Sequence, residues 1–240
     1  MSENIDDKQA SWSRFSFRKV VALILQFFGW RLFAGLVAAI VSLLFFGWLA
    51  EDVFENETIS FDQTVRGAVH NLSNPALTEA MKFFSVLGST VFLIALGALV
   101  AAAFFYLRRK RALVLFLATT IGSTIILTAL KATFQRARPA AYFDYALPLS
   151  YSFPSGHSLS SLCFYGILAW LVAARLKNKA AKIAVWTFAA ALILLIGLSR
   201  IYLGVHYPSD VLAGYAAGLV WVVTVGLGDF FLERKRSDKI

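Results

Sequence analysis

Six stretches of this chain are long, apolar and nearly free of charge, and each is close to the length a helix needs to cross a bilayer. A hydrocarbon core of roughly 30 Å takes about 20 helical residues. The blocks run from Leu32 to Ala50, Phe83 to Leu107, Ala112 to Leu130, Ser158 to Ala174, Ile183 to Ser199 and Val211 to Gly228. The expectation is an all-α, polytopic membrane helix bundle with six transmembrane helices, spanning residues 1–240 as one unit. Composition agrees, with 59% hydrophobic residues and a mean hydropathy of +0.69, well above a soluble globular mix. The apolar stretch from Val20 to Trp30 either extends the first helix or lies along the interface, with Arg31 leaving both open. Trp30 and Trp48 bracket the first block, as rings that prefer the headgroup zone do. Residues 1–19 are polar and carry mixed charge, without the small-residue cleavage site of a signal peptide, so the first apolar segment is expected to be retained.

The net charge of +9 acquires meaning only from where it sits. Lys8, Arg14, Arg18, Lys19 and Arg31 precede the first block. Arg108, Arg109, Lys110 and Arg111 form the second connection, Arg175, Lys177, Lys179 and Lys182 the fourth, and Arg234, Lys235, Arg236 and Lys239 the tail. All four groups fall on one side of a six-pass chain, which the positive-inside rule assigns to the cytoplasm. The first connection, residues 51–82, carries Glu51, Asp52, Glu55, Glu57, Asp62 and Glu79 and belongs outside. Both termini are then cytoplasmic in a multi-pass protein of the cell membrane. The basic residues read as topology determinants, with anionic lipid binding secondary and no nucleic acid as partner. The first connection reads as a connector rather than a lid.

The remaining cations sit where that rule least wants them. Lys131, Arg136 and Arg138 follow the third block and Arg200 the fifth, on the outer side, and the same two connections hold His157 and His206. Ionisable groups at a membrane boundary are costly unless paired or serving a site. Three stretches carry them: Lys131-Ala-Thr-Phe-Gln-Arg-Ala-Arg138-Pro139, Pro154-Ser155-Gly156-His157, and Ser199-Arg200-Ile-Tyr-Leu-Gly-Val-His206-Tyr-Pro-Ser-Asp210.

A phosphoryl group in transfer spreads negative charge over its equatorial oxygens, so its site must offer cations and hydrogen-bond donors. Lys131, Arg138 and Arg200 supply three cations, and guanidinium forks match phosphate oxygens bidentately. Ser155 offers a hydroxyl, Gly156 lets a backbone N–H approach without a Cβ, and the start of the fourth helix favours an anion. His206 and Asp210 stand four apart, with Pro208 suited to a helix's first turn. That spacing can set the carboxylate beside the imidazole.

Together the three stretches resemble the signature of the type 2 phosphatidic acid phosphatase superfamily, K-x6-RP, PSGH and SR-x5-H-x3-D, matched at every position and in order. The resemblance implies a membrane lipid phosphatase with its active site at the extracytoplasmic boundary. In that reading His206 is the nucleophile and forms a phosphohistidine. His157 protonates the leaving lipid oxygen and later activates water, and Asp210 orients His206. Lys131, Arg138, Ser155, Gly156 and Arg200 bind the phosphate. No cofactor and no metal is expected, because the cations serve where Mg²⁺ serves elsewhere. The substrate is a lipid phosphate or diphosphate, with phosphatidic acid, phosphatidylglycerophosphate and undecaprenyl or other isoprenyl diphosphates all open. A phosphotransferase would use the same residues. A transporter would place its charges near the midplane of the bilayer, whereas here they gather at one boundary.

Other residues take plainer readings. His70 is expected to be hydrogen-bonded or solvated. Arg136, outside the signature, is expected to be solvated or to contact lipid phosphates. Tyr142, Tyr145, Tyr151, Tyr202 and Tyr207 either line the site or sit at the interface. Cys163, the single cysteine, is a small packing residue with no partner for an internal disulfide. Gly214 and Gly218 form a small-xxx-small step that predicts close packing of the sixth helix.

Overall fold

The computed structural model describes residues 17–143 and 149–237, with backbone alone for residues 17–32, 236 and 237. Lys8, Arg14, Tyr145 and Lys239 therefore lie outside the described residues, as do the side chains of Arg18, Lys19, Trp30, Arg31 and Arg236. The described regular elements are helices: α1 (Phe17–Phe54), α2 (Ile59–His70), α3 (Pro75–Leu87), α4 (Thr90–Tyr106), α5 (Lys110–Phe134), α6 (Gly156–Ala173), α7 (Lys179–Tyr202) and α8 (Pro208–Ser237).

Five of these, α1, α5, α6, α7 and α8, are long and apolar enough to cross a membrane, and the bent pair α3–α4 passes the same test only when its two helices are taken together. Large apolar side chains such as Val41, Leu44, Val91, Ile94, Ile125 and Phe188 are exposed along them. A surface of that kind suits a lipid solvent, which has no hydrogen bonds to lose. Helix α1 takes in Val20 to Trp30, its backbone being helical without interruption for 38 residues. At 1.5 Å per residue that is about 57 Å, well beyond one bilayer core.

The predicted block from Phe83 to Leu107 is broken. Helix α3 ends at Leu87, Gly88 and Ser89 turn the chain, and α4 leaves at 50°. Ser89 caps α4 by accepting a hydrogen bond from the Phe92 N–H at 3.3 Å, which satisfies a first-turn donor that has no partner within the helix. Hydropathy alone runs across this break because both sides of it are apolar.

Helix α6 is central. Half of its apolar window is buried inside the bundle, against 11–28% for the other spans, and it packs on α5, α7 and α8. The expected close approach of the last helix occurs here. A Cβ on Gly214 would lie 2.7 Å from the Ser155 carbonyl oxygen, and one on Gly218 would lie 3.2 Å from that of Leu159. Cys163 is fully buried in the same contact, beside Leu159 and Ala217. At the opposite end Arg111 pairs with Asp229 and Glu233, tying the start of α5 to the end of α8.

The segment 51–82 has contacts that a bare connector lacks. Helix α2 packs on α7 and α8, and α3 packs on α7. Asp62 and Thr78 are buried, and the Thr78 hydroxyl pairs with the Tyr202 hydroxyl at 2.8 Å. The two helices cover the end of the bundle at which α5 and α7 finish and α6 and α8 begin.

Candidate active site

All three motif stretches meet at that end. The first follows from the stop of α5, where Gln135 takes a left-handed conformation at φ 45° and turns Arg136 and Arg138 back over the bundle. The second is the first turn of α6. The third joins α7 to α8 through a tight turn at Gly204, φ +74°, where a Cβ would also meet Tyr142 at 2.7 Å. Glycine satisfies both demands, having no side chain to clash and free access to positive φ.

His206 is buried, 1% exposed, and both ring nitrogens have partners. Nδ1 lies 3.1 Å from Asp210 Oδ2 and Nε2 lies 2.9 Å from Arg138 Nη1. A guanidinium only donates, so Nε2 is the acceptor and the proton sits on Nδ1, directed at Asp210. Oδ2 of Asp210 also accepts from the Tyr207 N–H at 2.9 Å and from the Ser152 hydroxyl. Burial pushes the His206 pKa down to about 4, against the opposing pull of Asp210 and with help from Arg138 and Arg200. The ring is therefore neutral at ordinary pH, with a lone pair at Nε2.

Arg138 is held by the main chain: Nε donates to the Ser150 carbonyl at 2.7 Å, Nη1 to the Val205 carbonyl at 2.9 Å and Nη2 to the Tyr151 carbonyl at 3.3 Å. Burial, together with the nearby charge of Arg200, lowers its pKa to about 10, so it still carries its charge. Lys131 donates to the Tyr151 carbonyl. Arg200 is 1% exposed and donates to the Ser85 hydroxyl. His157 opens α6 within electrostatic reach of Arg200, His206 and Arg138, with the Ser85 main chain as hydrogen-bond partner. Its ring lies against the α3–α4 break, where a Cβ on Gly88 would come within 3.1 Å of His157 Cδ2. Three cations and two imidazoles thus surround one site.

Two signature residues also have a part in the fold. The Ser155 hydroxyl caps α6, accepting from the Ser158 N–H at 3.5 Å, and Ser155 is fully buried. At Gly156, the space a Cβ would fill is bounded by Leu127 Cδ2 at 3.1 Å, so a side chain there would press on α5.

Arg136 corrects the sequence reading outright. It is neither solvated nor turned towards lipid: its side chain is 14% exposed and bridges Asp62 and Asp210, each at 2.7 Å. Burial acts to lower its pKa, but the charges and hydrogen bonds of Asp210 and Asp62 outweigh this and raise it. Ser209 Oγ and Thr58 Oγ1 complete its partners at 2.8 and 3.2 Å, and its guanidinium lies 4.1 Å over the Tyr207 ring. Of the other tyrosines, Tyr202 is buried rather than interfacial and Tyr142 stacks on His70 at 3.9 Å. Sequence reasoning missed Asp62, Ser85 and Ser152. The clue available was that Arg136 stood on the outer side without a stated acidic partner while six acids waited in residues 51–82.

Residues 112–229 match the family model described as the PAP2 superfamily. The chain is 34% identical over 203 residues to phosphatidylglycerophosphatase B of Bacillus subtilis, covering 82% of this chain and 93% of that protein. It is 35% identical over 109 residues to lipid A 1-phosphatase of Rhizobium etli, covering 42% of this chain and 43% of that protein. Among solved structures, the transmembrane PAP2 type phosphatidylglycerolphosphate phosphatase from Bacillus subtilis superposes with a TM-score of 0.72 at 32% identity, covering 80% of this chain and 95% of that one. LpxE of Aquifex aeolicus superposes with a TM-score of 0.55 at 25% identity, covering 70% and 95%. With its helices, motifs and nearly full-length relatives in agreement, the chain belongs to the PAP2 superfamily, as a multi-pass membrane lipid phosphate phosphohydrolase.

Proposed function

We propose that His206 carries the reaction as a nucleophile. Its Nε2 lone pair forms a bond to phosphorus while the bond from phosphorus to the leaving oxygen breaks. Protonated His157 gives its proton to that oxygen. The phosphohistidine then carries positive charge on the ring, which the Asp210 carboxylate stabilises through Nδ1–H. In the second half-reaction His157 takes a proton from water, the water oxygen bonds to phosphorus, the P–N bond breaks, and inorganic phosphate leaves with His206 neutral again. Lys131, Arg138 and Arg200 hold the phosphoryl oxygens throughout. The first-turn N–H groups of α6 add donors, as the start of a helix does for anions.

The observation that carries this reading is the two-sided hold on His206, a buried carboxylate on Nδ1 and a guanidinium on Nε2. An anion drawn to the guanidinium arrives beside the attacking atom. Substrates of the phosphatidylglycerophosphate kind come first, because the relative of that name aligns over 93% of its own length. Phosphatidic acid and isoprenyl diphosphates stand next, since a site built around phosphate reads little of the lipid. We place the site on the extracytoplasmic face and both termini in the cytoplasm, from the basic connections at the opposite end of the bundle.

The test is phosphate release by purified protein from these lipids, with EDTA present. Activity is expected to persist under chelation, to fall with vanadate and to vanish in His206→Ala. If chelation silences the protein and Mg²⁺ restores it, the cation-only mechanism is wrong. A new phospho-product in place of free phosphate would make it a phosphotransferase.

A further inference from the structure

We propose that Asp62, on α2 and outside all three motifs, is a positioning residue for the His206 nucleophile, acting through Arg136 on Asp210. The inference rests on the reading of His206 as nucleophile and extends its support to a helix that the signature does not include.

The geometry is a chain of buried charges. Asp62 and Asp210 are both fully buried and share the one guanidinium of Arg136, each at 2.7 Å. Asp62 also holds the start of α8, taking the Ser209 N–H on Oδ1 at 2.9 Å and the Ser209 hydroxyl on Oδ2 at 2.6 Å. That N–H belongs to the first turn of α8, where donors have no partner within the helix and a negative charge is favoured. Asp62 therefore fixes the residue next to Asp210 as well as the cation on its far oxygen. Asp210 in turn has one oxygen for Arg136 and the other for His206, Tyr207 and Ser152. The carboxylate has little freedom to turn.

The charges matter as much as the positions. Asp62, Arg136 and Asp210 together carry a net charge of minus one, which suits a neighbour that becomes positive on phosphorylation. Without Asp62, Arg136 would cancel Asp210, and the imidazolium would lose its counter-charge. Without Arg136, two carboxylates would stand unneutralised and the imidazolium would be over-stabilised. The other ionisable groups facing His206 are Arg138 from the segment after α5, Arg200 from α7 and His157 from α6. Lys131, at the end of α5, stands beside Arg138 and Asp210. None of these is altered by the substitutions below.

The experiment uses the full chain in detergent micelles, comparing wild type, Asp62→Asn, Arg136→Gln and the double variant. We measure kcat, KM and the acidic limb of kcat/KM. Asp62→Asn is expected to lower kcat by about 10–100-fold, by analogy with loss of the outer partner that orients a metal-ligating histidine, with KM little changed. Its acidic limb moves to lower pH, because removal of a negative charge disfavours the imidazolium. Arg136→Gln moves the limb to higher pH for the opposite reason, and the double variant returns it towards wild type. A purely structural role would reduce the folded fraction without these opposed shifts. Full kcat in Asp62→Asn, or a lower kcat with the limb unmoved, overturns the proposal. If Asp62→Asn does not fold, Arg136→Gln decides alone, and an unmoved limb counts against it. Phosphohistidine is assayed in the wild type alongside. Its absence there would sink the nucleophile reading, whereas its presence with an indifferent Asp62→Asn would sink this inference only.

Discussion

Arg138 Nη1 lies 2.9 Å from His206 Nε2, so in the proposed reaction the cation that holds the phosphate rests on the attacking atom. Under that proposal an incoming phosphate competes for the same guanidinium and uncovers the lone pair as it binds. Substrate binding and nucleophile release are then one event.

Arg138→Ala should lower kcat/KM by about 10²–10³-fold, the usual effect of removing one fixed donor to a developing anion. Arg138→Lys should stay far below wild type, because a single ammonium cannot reach Ser150, Val205 and His206 at once. Steady-state kinetics on a lipid phosphate checks this, and full recovery by lysine would show that charge alone suffices.

His157→Ala should cost about 10²–10⁴-fold on a lipid substrate, whose alkoxide is a poor leaving group. On p-nitrophenyl phosphate the loss in the first step should shrink sharply, since that phenolate leaves without a proton. Single-turnover rates on the two substrates separate the steps. An equal loss on both would remove His157 from the role of acid.

The acidic limb of kcat/KM that belongs to His206 should fall near pH 4 rather than near its ordinary value of 6.5, because burial keeps the ring neutral. The same displacement affects stability. Between about pH 6.5 and 4 the unfolded chain takes up a proton on this residue that the folded chain does not, so the group's contribution falls as pH drops through that window. Rate profiles and thermal unfolding midpoints over pH 3.5–8 check both, and a limb at 6.5 would contradict them.

A reporter inserted near Asn56 should be reached only from outside the cell, and tags on either terminus only from within. The basis is the basic end of the bundle, at Arg108 to Arg111 and Arg175 to Lys182, opposite the end that holds the site. Labelling of intact against permeabilised cells decides it. Labelling of Asn56 only after permeabilisation would reverse the orientation.

Much of this architecture was legible without coordinates. Leu32 to Ala50 and Ala112 to Leu130 fall inside α1 and α5, and the PSGH stretch does open a helix. These are local properties: run length, charge and turn chemistry act between residues close in the chain. The break at Gly88 was not legible, because hydropathy has the same value on either side of a bend. Ser155 was read as a hydroxyl for the phosphate, and that its oxygen also caps α6 was not read.

What the sequence determined by itself is the set of spans, their alternating charge, and the cations and imidazoles brought by the three motifs to one end of the bundle. What only the tertiary structure decided is which charges neutralise one another. Arg136 lies 74 residues from each of Asp62 and Asp210, and no periodicity links positions so far apart. Their pairing depends on α2 folding back over the start of α8, where exclusion of water makes an unpaired charge too costly to keep.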